Sequence, residues 1–147
     1  MTKYLLPLLF IAVIDCRTVS TGSLKVSFVG YYAGESSPGS VTSYKGKPIG
    51  TLSIRSDSTY IFNEYAVPYD RVDTILMATE SGRWHCLKDS VFLFSEQSYY
   101  AYLNSSCNKM SDTTIRLHSL TPNKLHSNKP NVLIGMCYAL DYFHKSQ

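Results

Sequence analysis

Histidine, serine and carboxylate side chains carry out most protein chemistry, and none of them falls into a catalytic or metal-binding pattern here. The sequence has four histidines, which are His85, His118, His126 and His144. None stands in a helical metalloprotease motif or forms a close metal-ligand pair. No serine occupies the strand-to-helix turn that exposes a nucleophile, and no glycine-rich loop could cradle a phosphate. We therefore expect no catalytic residues, no metal and no cofactor.

Cysteine is the residue type whose chemistry the sequence leaves most open. The chain has four cysteines, Cys16, Cys86, Cys107 and Cys137. They are too far apart for the short spacing of structural zinc ligands. In an oxidising compartment, two of the last three could form a disulfide, either Cys86–Cys107 or Cys107–Cys137. The sequence cannot choose between the two pairs; we carry Cys107–Cys137 forward as the predicted candidate, with buried free thiols as the alternative.

Aromatic residues are the best candidates for binding. Trp84 is the single tryptophan, and it would either pack into a core or line a ligand cavity. Tyrosine is favoured at recognition surfaces because its ring is large, its hydroxyl is polar and its rotors are few. The same side chains would fill a core where alternate residues of a strand point inward. The candidate contacts to a ligand or partner are Trp84, Tyr31, Tyr32, Tyr44 and Tyr100.

The overall composition narrows the class of protein. The chain has 147 residues and a net charge of +3, and its charged residues are scattered. We therefore expect no basic nucleic-acid-binding surface and no nucleic-acid partner. Twelve tyrosines against six phenylalanines, with many serines and threonines, suit half-buried strands better than helix bundles. A chain of this length has enough residues for one domain with a single core.

Alternation of apolar and polar residues predicts short strands that would position these side chains. The clearest unit is a β-hairpin over residues 51–65, with its turn at residues 56–58. Glycine, proline and serine dominate residues 34–48, which we expect to form a loop. We also expect a turn at residues 80–82 and a two-residue turn at residues 88–89.

The last segment, residues 132–143, fits a helical face, which Asn131 would cap, and a strand face equally well. Gly135 disfavours the helix, so we predict a strand. The sum is eight or nine short strands with turns between them, which indicates an antiparallel sandwich or barrel. Closure would remove the exposed edges of short strands. The predicted fold class is therefore all-β, a small antiparallel β-barrel or half-barrel.

The first sixteen residues have the layout of an export signal. A positive charge precedes an unbroken apolar run at residues 5–14. The run is shorter than the about 20 apolar residues that span a bilayer, and it suits a signal peptide. Cys16 then resembles the lipidated cysteine of bacterial lipoproteins, although Asp15 stands where that family has a small residue. In the alternative, an ordinary signal peptidase cuts after Ser20 or Thr21.

A second resemblance covers residues 52–95. An apolar strand, an acidic turn and an aromatic strand (LSIRSDSTYIF, residues 52–62) precede ESGRW at residues 80–84 and KDSVFLFS at residues 88–95. This order is similar to the lipocalin-like domain of small bacterial envelope lipoproteins. The resemblance implies an antiparallel barrel or half-barrel, and it implies no particular activity.

These observations predict a signal peptide at residues 1–15, a linker at residues 16–23 and one barrel domain at residues 24–147. We expect an exported, non-enzymatic binding or accessory protein that is anchored to the membrane by lipid on Cys16. Its location would be the outer membrane of the cell envelope, or the periplasm or medium if Cys16 is removed. The barrel would bind an apolar or amphipathic small molecule or an envelope protein. The alternative is a protein–protein interaction module whose barrel interior is fully packed.

Overall fold

The structure is a computed structural model that describes residues 19–21, 24–26, 28–36, 42–116, 122–129, 131–137 and 140–146. These residues form eleven strands. They are β1 (Val19–Thr21), β2 (Leu24–Val26), β3 (Gly30–Glu35), β4 (Gly46–Ile54), β5 (Thr59–Pro68), β6 (Ile75–Leu87), β7 (Ser90–Leu103), β8 (Lys109–Arg116), β9 (Asn123–Lys129), β10 (Val132–Cys137) and β11 (Leu140–Lys145). A search of the same residues found no helix long and apolar enough to cross a membrane. The predicted all-β class is confirmed. The expected signal peptide and Cys16 lie outside the described residues, and β1 lies within the expected linker.

Eight strands close into an antiparallel barrel. Its order is β3, β4, β5, β6, β7, β9, β10 and β11, and β11 pairs back with β3. The eighth strand in sequence, β8, is appended to the barrel: residues 90–93 of β7 pair with β9, whereas residues 97–103 pair with β8. β1 and β2 form a separate two-stranded sheet. The predicted small antiparallel barrel is therefore confirmed, and it is a closed barrel rather than a half-barrel.

The predicted hairpin is confirmed and is longer than expected, because β4 and β5 pair from residue 46 to residue 68. Its turn is held by Asp57, whose carboxylate accepts hydrogen bonds from the backbone N–H and the hydroxyl of Thr59 at 3.0 and 2.6 Å. Pro48, which we expected in a loop, lies inside β4. The pairing of β3 with β4 ends at Ile49, so among the described residues no strand pairs with β4 on that side at Pro48, a position where proline is tolerated.

The turn predicted at residues 80–82 is wrong, because β6 passes through these residues as one continuous strand. The register of the β6–β7 pairing shifts between Ser81 and Gly82, so the glycine belongs to a β-bulge. A Cβ atom on Gly82 would lie 2.0 Å from the backbone oxygen of Phe94. Glycine is required for this close approach of two backbones. From sequence alone, a glycine in such a bulge looks the same as a glycine in a turn.

The strand prediction for residues 132–143 is confirmed, since this segment contains β10 and most of β11. Asn131 adopts a left-handed conformation with φ of 64° and does not cap a helix. Its carbonyl oxygen accepts a hydrogen bond from the backbone N–H of Lys145 at 2.8 Å. The two-residue turn at residues 88–89 is also confirmed, and Lys88 has a φ of 56° there.

The buried side chains form three zones. The apolar core consists of Phe28, Tyr32, Leu52, Ile54, Tyr60, Phe62, Trp84, Cys86, Val91, Leu93, Leu125, Leu133, Leu140 and Phe143. The polar band consists of Glu64, Glu80, Ser95 and Ser98. The loop-side cluster consists of Tyr44, Ala66 and Cys107, with half-buried Ile75, Met77 and Leu103 packed against them. Along β5 the three zones follow one another, because alternate residues from position 60 to position 66 point inward.

Candidate functional site

The polar band is the strongest candidate site because it places two carboxylates inside the barrel. Glu64 and Glu80 are each only 3% exposed. In the β5–β6 register Glu64 pairs with Ala78, so Glu80 is its diagonal neighbour on the same inward face. Charged side chains are almost never fully buried unless they are paired, so this placement needs specific hydrogen-bond partners.

Hydroxyl groups lie on the strands beside Glu80. The hydroxyl of Tyr60 donates a short hydrogen bond to Oε1 of Glu80 across the β5–β6 pair. On β7, the hydroxyl groups of Ser95 and Ser98 lie 3.1 Å apart. Ser98 stands opposite Glu80 in the β6–β7 register. The polar band therefore combines buried carboxylates and hydroxyls, with hydrogen bonds from Tyr60 to Glu80 and between Ser95 and Ser98.

Tyr44 borders this band from the loop side. Its residue surface is 7% exposed, and its buried hydroxyl makes no hydrogen bond within the described part of the chain. Burial is the main cause that raises the pKa of Tyr44, and the negative charge of Glu64 raises the same pKa further. The phenol of Tyr44 is thus buried and neutral, and its hydroxyl has no hydrogen-bond partner among the described residues.

Next to the polar band, where Gly50 pairs with Glu64, the barrel interior is filled by side chains. Gly34 and Gly50 face each other on β3 and β4, and both lack a side chain of their own. A Cβ on Gly50 would lie 2.2 Å from Cδ1 of Leu140. A Cβ on Gly34 would lie 2.9 Å from both Leu140 and Phe143. Side chains of β11 therefore occupy the space over the two glycines.

One hydroxyl–imidazole contact resembles part of a catalytic triad. The Oγ of Ser90 lies 2.9 Å from Nδ1 of His126 and donates a hydrogen bond to Asp89 at 3.0 Å. A nucleophilic serine would instead give its proton to the imidazole, and the carboxylate would hold the far side of that imidazole. Ser90 is also buried. The arrangement therefore fits a structural link between the β6–β7 turn and β9.

The predicted aromatic contacts do not form one site. Trp84 and Tyr32 belong to the apolar core; Trp84 is 7% exposed, and its Nε1 donates to the backbone oxygen of Arg55 at 2.8 Å. Tyr44 belongs to the loop-side cluster, and Tyr100 is half-buried opposite Ala78. Tyr31 lies on the outer face and is 50% exposed. The packing of Trp84 thus matches the core interpretation rather than the ligand-cavity interpretation.

The predicted Cys107–Cys137 disulfide is wrong, as is the alternative Cys86–Cys107 pair. Cys107 is a buried free thiol, and Cys86 is disulfide-bonded. The second cysteine of that bond is not among the side chains that the structure describes. Burial raises the pKa of the Cys107 thiol, which outweighs the opposite effect of the nearby Arg71 guanidinium. Sequence spacing could not identify the pair because strand order, not distance along the chain, brings cysteines together.

Neither metal chemistry nor known relatives identify a function. Over the described residues, no group of three or more metal-ligating side chains comes together. Comparison of the chain with models of protein families, with curated proteins and with solved structures found no match.

Proposed function

We propose that this protein is a non-enzymatic accessory protein of the cell envelope that acts through its outer surface, with a packed barrel as its scaffold. The observation that carries the proposal is the filling of the barrel interior. Leu140 and Phe143 occupy the space over the two facing glycines. Apolar side chains from all eight barrel strands pack together in the same region. A ligand-binding barrel instead keeps an interior cavity of roughly 300 Å³ or more.

The experiment is a fluorescence titration with an apolar dye, N-phenylnaphthylamine. A packed interior excludes the dye, so the wild-type protein should give no saturable signal. The Leu140→Ala variant should in addition bind benzene saturably, as measured by calorimetry, because a buried apolar cavity of this kind stays dry and accepts small apolar ligands. Leu87→Ala is the matched control, since Leu87 is exposed on β6 and its loss opens no cavity. Saturable binding by the wild type would contradict the proposal.

A second candidate function is the binding of an amphipathic small molecule at the polar band. The observation that favours it is the unused hydroxyl of Tyr44 beside Glu64. The polar end of such a molecule would supply the missing hydrogen bond. The same titration separates the two functions, because an amphipathic ligand site would give wild-type binding that Tyr44→Phe weakens.

Export and anchoring belong to the same proposal. The apolar leader and Cys16 support it, and so does the disulfide at Cys86, since disulfides persist in oxidising compartments. Cells labelled with a fatty-acid analogue should incorporate label into the wild type and into Cys107→Ala. They should not incorporate it into Cys16→Ala. Label that persists in Cys16→Ala would remove the anchor, and an unlabelled wild type would favour a periplasmic or secreted protein.

A further inference from the structure

β8 is the exposed edge of an otherwise closed sheet. Each of the eight barrel strands has a neighbour on both sides, whereas β8 pairs only with β7 within the described residues. Its residues are exposed, apart from half-buried Thr113. The outer side of β8 therefore presents unpaired backbone N–H and C=O groups, which is the feature through which strands from other chains add to a sheet.

The sequence of β8 favours such pairing. Proteins usually protect an edge strand with proline, lysine or an inward-pointing charge. β8 contains no proline or glycine, and its single lysine, Lys109, is its first residue and is ion-paired with Asp112. Thr113, Thr114 and Ile115 are β-branched residues that suit strands. With Asp112 and Arg116, the strand carries a net charge of only +1, and over residues 110–116 the two charges cancel, so repulsion of a second strand is small.

We propose that β8 pairs antiparallel with β8 of a second copy of this chain, about a two-fold axis at Thr114. This inference rests on the proposed function, and it names the partner of the outer surface. With that axis, Asp112 lies opposite Arg116 of the second copy, and Thr113 lies opposite Ile115. Thr114 meets its own equivalent. Opposite charges, β-branched pairs and threonine pairs across strands are all favourable.

The neighbouring registers are less complementary. Because opposed residues must share a face of the sheet, the other symmetric registers that pair at least as many residues of β8 centre on Thr113, Asp112 or Ser111. An axis at Ser111 places Lys109 opposite Thr113 and Met110 opposite Asp112, and it forms no charge pair. An axis at Asp112 places two carboxylates opposite each other, which is destabilising. An axis at Thr113 leaves Arg116 opposite Met110 and forms no direct charge pair. Arg116 makes no ion pair within the described residues, so it is free to take Asp112 of the second copy.

Asp112 is already held in place for this contact. Its carboxylate bonds the ammonium group of Lys109 and accepts a hydrogen bond from Tyr99 at 3.1 Å. These bonds lower the pKa of Asp112, with Lys109 as the larger cause. The carboxylate is thus ionised and oriented on one face of β8 before a second copy binds.

Cysteine cross-linking tests the axis directly, with two adjacent threonines as a matched pair. In the proposed dimer the two Thr114 residues are directly opposed, so Thr114→Cys should form an intermolecular disulfide under mild oxidation. The two Thr113 residues are offset by two positions along each strand, which places their Cα atoms about 8 Å apart and beyond disulfide reach. Thr113→Cys should therefore stay monomeric on a non-reducing gel. Cross-linking through Thr113 or Asp112 but not Thr114 would overturn the register.

Sedimentation equilibrium tests the dimer itself. The wild type should show a monomer–dimer equilibrium, and Arg116→Glu should weaken it about tenfold or more because two attractive pairs become repulsive. Lys47→Glu, an exposed change of the same charge on β4, should leave it unchanged. A wild type that stays monomeric at millimolar concentration removes this inference. If that monomer still excludes the dye, the packed-barrel proposal stands without the dimer. If the wild type dimerises but binds the dye, the dimer stands and the packed-barrel proposal falls.

Discussion

The two ends of the barrel interior bury their side chains in different ways. The apolar core joins aromatic and aliphatic residues from all eight barrel strands. The polar band and the loop-side cluster instead combine carboxylates, hydroxyls, small residues and a free thiol. Apolar burial is stabilising and undirected, whereas a buried polar group costs free energy unless it is hydrogen-bonded. The comparison suggests that the apolar core supplies most of the stability and that the polar end depends on a few hydrogen bonds.

The largest effect on stability should come from replacing a leucine by alanine, and we compare this change at the two ends of the barrel interior. Leu52 is fully buried in the apolar core, and Leu103 is half-buried in the loop-side cluster. Leu52→Ala should lower the free energy of unfolding by about 2–5 kcal/mol, because it removes buried methyl groups and leaves a cavity. Leu103→Ala should cost less than half as much. Urea denaturation measures both values, and equal losses would show that the two ends contribute equally to stability.

A second pair of substitutions compares two kinds of glycine. A Cβ on Gly82 would meet backbone atoms of β7, whereas a Cβ on Gly34 would meet the side chains of Leu140 and Phe143. Gly82→Ala should destabilise the fold by about 1–3 kcal/mol, because the backbone cannot move without breaking the bulge. Gly34→Ala should cost less, since side chains can shift. Thermal denaturation ranks the two variants, and the reverse order would mean that the packing over Gly34 is the more rigid of the two.

The polar end can be tested with two phenols that differ in one hydrogen bond. Tyr60 donates to buried Glu80, whereas the hydroxyl of Tyr44 has no described partner. Tyr60→Phe should cost about 1–3 kcal/mol, because it leaves a buried acceptor with one donor fewer. Tyr44→Phe should be neutral or slightly stabilising. A comparable loss in Tyr44→Phe would reveal a hydrogen bond to that hydroxyl in solution and would strengthen the case for a ligand at the polar band.

The fold was more predictable than the polar end for a physical reason. Period-two alternation is a local signal, so the hairpin at residues 51–65 and the all-β class follow from neighbouring residues. The same alternation placed Glu64 on the inward face between Phe62 and Ala66, but a carboxylate normally indicates an exposed position. The bond between Tyr60 and Glu80 depends on the register of two strands. Likewise, β8 lies outside the barrel because β7 pairs with β9 through residues 90–93 and with β8 through residues 97–103. No local sequence pattern predicts this change of partner.

The smallest effect concerns alkaline pH and again separates the two ends. Burial raises the pKa of Tyr44 above its ordinary value of 10.0. The unfolded chain therefore releases this proton near pH 10 while the folded protein keeps it, so folding stability falls as the pH rises above about 10. For one such tyrosine, the free energy of unfolding falls by about 1.4 kcal/mol per pH unit in this range. Urea denaturation at several alkaline pH values should show a shallower decline for Tyr44→Phe than for the wild type.

Tyr32→Phe is the comparison variant for this measurement. Tyr32 is buried in the apolar core, and burial raises its pKa as well. Tyr32→Phe should therefore reduce the slope as Tyr44→Phe does, but it should also cost stability at neutral pH, because its hydroxyl donates to the backbone oxygen of Phe28 at 2.9 Å. A wild-type slope that Tyr44→Phe does not change would mean that solvent reaches this phenol, and the loop-side cluster would then be open where the apolar core is closed.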